Sequence, residues 1–141
     1  MLPLVAIAAK PMSTKDVQIN PLALSVNEQV AYFSDLYGGN TQIALKVMGC
    51  ESSGDSNSIG DGGRSRGVFQ FQKSTFLRME KAFGEKLNYN STLDQIKLAT
   101  WALSKKEYAS EWSTYRAIVN GGKYSFYSRQ LQRHFIVRCK I

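Results

Sequence analysis

The chain has 141 residues, 43% of them hydrophobic and 21% charged, with a formal net charge of +7. That is enough apolar material for one domain with a buried core, and too ordered a composition for a low-complexity or disordered tail. No apolar run approaches the roughly 18 residues that a membrane span needs, two cysteines exclude a disulfide-dense scaffold, and His134 as the only histidine leaves no Cys/His cluster for zinc.

Residues 1–24 read as an irregular lead-in. Met1 to Ala9 are apolar and end in small residues before Lys10 and Pro11, without the positive leading segment of a full secretory signal. They suit the remnant of a clipped signal, a docking segment or a frayed start, and export is the expectation. The domain proper is expected over residues 25–141. Ser25-Val26-Asn27-Glu28 is a capping box, so a helix should follow with Val26, Val30, Phe33 and Tyr37 on one stripe, stopped by Gly38-Gly39. Asn40 opens a second helix whose stripe, Ile43, Ala44, Val47 and Met48, arrives at Glu51, with Gly54 ending it. Asp55 to Arg66 is dense in Ser, Asn, Asp and Gly, the residues of turns and close backbone approach. Gly67 to Gln72 reads as a short extended or turn segment.

Three further helical runs are predicted. One opens at Ser74 with Phe76, Met79, Glu80 and Phe83; a second follows a capping box at Thr92-Leu93-Asp94-Gln95 and carries Ile96, Ala99, Trp101 and Leu103. A third spans Glu111 to Val119 and is stopped by Asn120-Gly121-Gly122. The last predicted element is an amphipathic helix from Ser125 with Tyr127, Leu131 and Phe135. From Gly121 onward Lys123, Arg129, Arg133, Arg138 and Lys140 are accompanied by no acid, so this segment carries five of the net positive charges. A basic face suits a polyanionic partner such as nucleic acid, anionic lipid or acidic wall polymer; an ordinary solvated face has the same composition. Cys50 and Cys139 either pair in an oxidising compartment or remain as buried thiols. The fold class is therefore mainly α, a single domain with a glycine-rich loop or small β/turn region walling a cleft.

The residue that points to chemistry is Glu51. It lies four positions after Val47 and eight after Ile43, so a helix aims its carboxyl along the buried stripe instead of into water. Lost hydration raises a carboxyl pKa, which suits a general acid near neutrality. An ordinary last-turn glutamate would swing outward, but here a polar, turn-prone loop and a Gly-aromatic-Gln segment follow immediately. Together they are the parts of a groove for a hydrogen-bonding ligand.

Glu51-Ser52-Ser53-Gly54, then Gly60-Asp61-Gly62-Gly63-Arg64-Ser65-Arg66-Gly67-Val68-Phe69-Gln70, and finally Asn120-Gly121-Gly122 resemble the three signatures of the lysozyme-like soluble lytic transglycosylases. Those signatures are a Glu-Ser pair closing a helix, a Ser-x-Gly-Leu-Met-Gln segment, and an Ala-Tyr-Asn motif closing a later helix. The resemblance covers about half of the chain, from Val47 to Gly122, and its third motif is the weakest.

It implies a lysozyme-like fold and cleavage of the β-1,4 bond between N-acetylmuramic acid and N-acetylglucosamine in peptidoglycan, with a 1,6-anhydro product. Glu51 would be the catalytic acid and base. Ser52, Ser65, Gly67, Val68, Phe69, Gln70 and Asn120 would line or brace the sugar-binding groove, with Phe69 where the family commonly has Met. Val119 stands where the family has the tyrosine that orients the acid; Tyr115, one turn earlier, is a substitute, ahead of Tyr124 and Tyr127. No cofactor and no metal is implied. The partner would be peptidoglycan strands and not nucleic acid, the protein a monomer in at most peripheral contact with the envelope. Its place would be periplasmic, envelope-bound or extracellular, or on a phage particle.

Hydrolysis, the lysozyme-type alternative, needs a held water or second carboxylate, and Asp55 and Asp61 are the neighbouring candidates, each also suited to a local turn. A non-catalytic glycan-binding domain and a basic helical nucleic-acid binder are the readings from other classes. Trp101, Trp112, Tyr124 and Tyr127 suit sugar stacking, although at helical spacing such residues more often fill the core, as expected for Trp101. His134 is read as structural or surface.

Overall fold

The computed structural model describes residues 18–121, 123–129 and 131–138. Most of the lead-in, Cys139 and Lys140 therefore lie outside the described residues. A 3-10 turn over Pro21–Ala23 precedes α1 (Val26–Leu36) and α2 (Thr41–Ser52). Three two-residue strands follow, β1 (Ile59–Gly60), β2 (Ser65–Arg66) and β3 (Phe71–Gln72), then α3 (Lys73–Phe83), α4 (Thr92–Leu103), α5 (Lys106–Ala109) and α6 (Ser113–Val119). The described chain closes with β4 (Lys123–Ser128) and β5 (Arg133–Arg138). The molecule is mainly helical with a small three-stranded antiparallel sheet. Among the described residues no helix is long and apolar enough to cross a membrane.

The helix starts obey local chemistry. Ser25 Oγ accepts the Glu28 N–H at 3.2 Å while the Glu28 carboxylate accepts the Ser25 N–H at 3.3 Å, so the expected capping box is present. Asn40 caps α2 through the Ile43 N–H at 3.0 Å. At α4 the cap lies one residue before the predicted box: Ser91 accepts the Asp94 N–H at 3.2 Å, and Asp94 turns its carboxylate to the Asn88 N–H at 2.8 Å. The helix expected over Glu111 to Val119 is present as α6, beginning two residues later at Ser113, and the short α5 (Lys106–Ala109) before it is an element the sequence reading did not include.

The larger correction is at the end of the chain. The predicted amphipathic helix from Ser125 is instead an antiparallel hairpin, pairing Lys123 with Arg138, Tyr127 with His134 and Ser128 with Arg133. Lys123-Tyr124-Ser125-Phe126 alternates polar and apolar like a strand, and the β-branched Ile136-Val137 pair is stiff in a way that suits one. The helical spacing of Tyr127, Leu131 and Phe135 misled because a period of four also satisfies alternation. His134 is exposed and lies against Tyr127, ring centroids 5.1 Å apart.

One core gathers these elements. Val30 and Phe33 of α1, Ala44, Val47 and Met48 of α2, Phe76 and Met79 of α3, and Ile96, Leu98, Ala99 and Ala102 of α4 are all buried together. Trp101 sits at the edge of this core, against Phe83 and Tyr108. α1 packs on α2 and α4, α2 on α6, and α6 on both strands of the hairpin. The polar loop after α2 is fastened to this core by its aromatic end. Val68 and Phe69 are fully buried, and Phe71 stands edge-on to Phe76 and Trp112 at 5.4 and 5.3 Å. At Gly67 the backbone turns at φ +84°, and an added Cβ would lie 2.1 Å from Gln95 Oε1. Glycine suits this left-handed turn, and any side chain here would have to displace the Gln95 amide.

Gly67→Ala should therefore destabilise the fold by about 1–3 kcal/mol from left-handed strain alone, with the Gln95 clash added. Urea unfolding measures this, and an unchanged midpoint would show that the turn does not depend on Gly67.

Candidate functional site

The last turn of α2, the small sheet and the segment leading into α6 enclose a groove of about 270 Å³. Glu51, Asp61, Ser65, Gln70, Phe71, Gln72, Thr75, Glu111, Trp112 and Ser113 line it. The Glu51 carboxyl accepts a hydrogen bond from Thr114 Oγ1 at 2.7 Å, a contact between α2 and α6 across 63 residues of sequence. Burial raises the Glu51 pKa above the ordinary carboxyl value, the Thr114 hydrogen bond opposes that rise, and the negative charge of Asp61 adds to it.

Asp61 occupies the turn between β1 and β2 at φ +52°, and accepts a hydrogen bond from the buried Ser65 hydroxyl. Ser65 pairs with Gly60 on one side and Gln72 on the other, and of these three Ser65 and Gln72 line the groove. Asp55, the other carboxylate singled out from sequence, accepts the Asn57 N–H at 2.8 Å and does not line the groove. Of the two aspartates, only Asp61 is close enough to bear on Glu51.

Several residues expected at the groove have a different task. Ser52 donates its hydroxyl to the Val68 carbonyl at 2.7 Å, and the Trp112 indole N–H donates to the Phe69 carbonyl at 2.9 Å. Val68 and Phe69 are thus core residues with both carbonyls occupied; neither they, nor Ser52, nor Gly67 line the groove. Apolar side chains after a glycine turn go inward because this is the only apolar stretch in the loop. Gln70 does line the groove, but its amide donates to the Ser58 and Gly67 carbonyls, each at 2.9 Å, and so braces the loop from within. Asn120 is exposed at the end of α6 and lies away from the groove. Tyr115 packs against the hydrophobic core, and the hydroxyl that reaches Glu51 belongs to its neighbour Thr114. One residue along a helix is a rotation of about 100°, which separates the two side chains.

Thr114, Gln72, Thr75, Glu111 and Ser113 escaped the sequence reading. For Thr114 a signal existed. It lies three residues before Ala117, both are buried, and a hydroxyl on a helix's buried stripe must find a partner. Glu111 is held at the groove margin by Arg78, Nη2 to Oε1 at 2.6 Å. Cys50, next to Glu51, is disulfide-bonded.

The raised Glu51 pKa sets the sign of a stability effect. The folded protein holds this proton to higher pH than the unfolded chain, so the stability associated with Glu51 is full below the ordinary carboxyl value and is lost as pH rises through the folded value. Glu51→Gln keeps the shape and cannot ionise. Its melting temperature should match the parent at acid pH and exceed it near neutrality; parallel melting curves at both would contradict a desolvated carboxyl.

No family model, curated protein or solved structure matches the chain. The groove and its chemistry are what remain to indicate a function.

Proposed function

We propose that the protein is a peptidoglycan-cleaving muramidase with a lysozyme-like fold, acting as a lytic transglycosylase on the bond between N-acetylmuramic acid and N-acetylglucosamine. The observation that carries this reading is a single carboxyl, Glu51, with its pKa raised by burial at a polar groove whose other wall is the glycine-rich loop. The signatures ending in Ser52 and Gln70 support it, because they are the residues that clamp that loop beside the acid. The missing tyrosine at Val119 is offset by Thr114, which supplies a hydroxyl to Glu51 from the same helix.

In this mechanism protonated Glu51 gives its proton to the glycosidic oxygen as the C1–O bond breaks and positive charge develops at the sugar ring. The carboxylate then takes the proton from the muramic C6 hydroxyl as that oxygen closes onto C1. One carboxyl is sufficient because the nucleophile belongs to the substrate. Neutral hydroxyl and amide groups of Ser65, Gln72, Thr75 and Ser113 suit hydroxyl and acetamido groups of a glycan. A phosphodiester backbone is disfavoured in the same groove, which holds three carboxylates, Glu51, Asp61 and Glu111, and no lysine or arginine among its lining residues.

Asp61 favours a second reading, hydrolysis, in which it holds the attacking water. The two reactions part at Asp61→Asn. A transglycosylase retains most of its turnover and releases anhydro ends; a hydrolase loses about 100-fold or more and releases reducing ends, one water heavier by mass spectrometry. Glu51→Gln should lower release of soluble fragments from purified peptidoglycan by at least about 100-fold while sedimentation with it persists. Clearing at the parent rate would remove Glu51 as the acid. Binding of the parent protein without any clearing would support the glycan-binding alternative.

A further inference from the structure

We infer that Thr114 is the positioning residue of the reaction proposed above, fixing which oxygen of Glu51 carries the transferred proton. The inference rests on that reading for the chemistry and on the groove geometry for the assignment. Thr114 Oγ1 donates to Glu51 Oε1 at 2.7 Å. An oxygen that accepts a hydrogen bond from a neutral hydroxyl is the poorer site for a proton of its own, so the acidic hydrogen resides on Oε2. Thr114 is 8% exposed, and its α6 backbone is tied to the loop by Trp112, whose indole N–H donates to the Phe69 carbonyl at 2.9 Å. The hydroxyl is therefore pre-placed by two packed elements and needs no rearrangement when substrate arrives.

During bond cleavage the proton leaves Oε2 for the glycosidic oxygen, which also receives the electron pair of the breaking C1–O bond. Negative charge appears on the carboxylate, and Thr114 stabilises it at Oε1. The C6 hydroxyl oxygen then bonds to C1, and its proton returns to Oε2, which has remained the open oxygen throughout. Thr114 gains and loses no atom in this cycle. The other charged groups at the groove are Asp61, from the turn after β1, and Glu111, from the segment before α6; α6 also carries Arg116, which does not line the groove. Burial and the charge of Asp61 favour the protonated acid, and the Thr114 hydroxyl is the neutral group that favours its release.

Thr114→Val removes the hydroxyl with little change in shape, and Thr114→Ser keeps it. The test reads two quantities for the parent and both variants. One is the titration of the Glu51 carboxyl carbon by NMR in the unliganded protein; the other is turnover of soluble, uncrosslinked peptidoglycan strands across pH. Thr114→Val should move the carboxyl midpoint and the basic limb of the rate profile upward. It should also lower kcat about tenfold to a hundredfold with KM changed by less than about twofold. Thr114→Ser should restore all three. An unchanged carboxyl midpoint in Thr114→Val overturns the inference whatever the activity, as does equal loss of turnover in Val and Ser variants. A midpoint shifted by Thr114→Val, in a protein whose parent form turns over no peptidoglycan, would instead sink the proposed function and leave the hold of Thr114 on the carboxyl standing.

Discussion

Two adjacent carbonyls, of Val68 and Phe69, carry the construction of the groove. The first is held by the Ser52 hydroxyl from the end of α2, the second by the Trp112 indole from the start of α6. The loop between α2 and β3 is rich in residues that favour turns and poor in residues that favour a core, so it has little cohesion of its own. Its cohesion comes from Val68, Phe69 and Phe71 entering the helical core and from those hydrogen bonds, which occupy carbonyls that would otherwise be buried without partners. Because Ser52 follows Glu51 and Trp112 lies two residues before Thr114, the clamp also sets the distance between the acid and the hydroxyl that meets it.

That arrangement explains why Glu51 is neither a surface glutamate nor a fully buried one. A carboxyl entirely within the core would have its charged state strongly suppressed; one in open water would keep an ordinary pKa. The groove places it between these limits, with Thr114 offsetting part of the cost of burial and Asp61 adding to it. Asp61 is held in turn by Ser65 in a left-handed turn of the sheet. The polar groups at the groove are thus connected in two short chains, Glu51 with Thr114 and Asp61 with Ser65, one on each wall.

The net positive charge of the chain does not extend into the groove. In the acid-free segment, Lys123–Ser128 and Arg133–Arg138 form a hairpin that packs on α6, while the groove lining is acidic and neutral. A whole-chain charge is therefore a poor guide to the ligand of one site, since charge acts locally over about a Debye length of roughly 10 Å.

Much of the helical architecture was legible in the residues themselves. Ser25 and Asn40 name their helices because a capping side chain needs only its own next turn, and the stripe through Val47 and Met48 follows from a period of 3.6. Glu51 was legible for the same reason: its direction is fixed by the helix that carries it. The hairpin at the end of the chain was not, because Tyr127, Leu131 and Phe135 satisfy both periods and only pairing between Lys123–Ser128 and Arg133–Arg138 decides between them. Nor were the tasks of Ser52, Gln70 and Tyr115 legible, or the choice of Asp61 over Asp55. Each depends on what lies across a gap of many residues, as with Thr114 and Glu51. Local sequence determines where a side chain points along its own element; which group it meets is decided only when elements pack, since the partner is set by burial and hydrogen-bond satisfaction over the whole molecule.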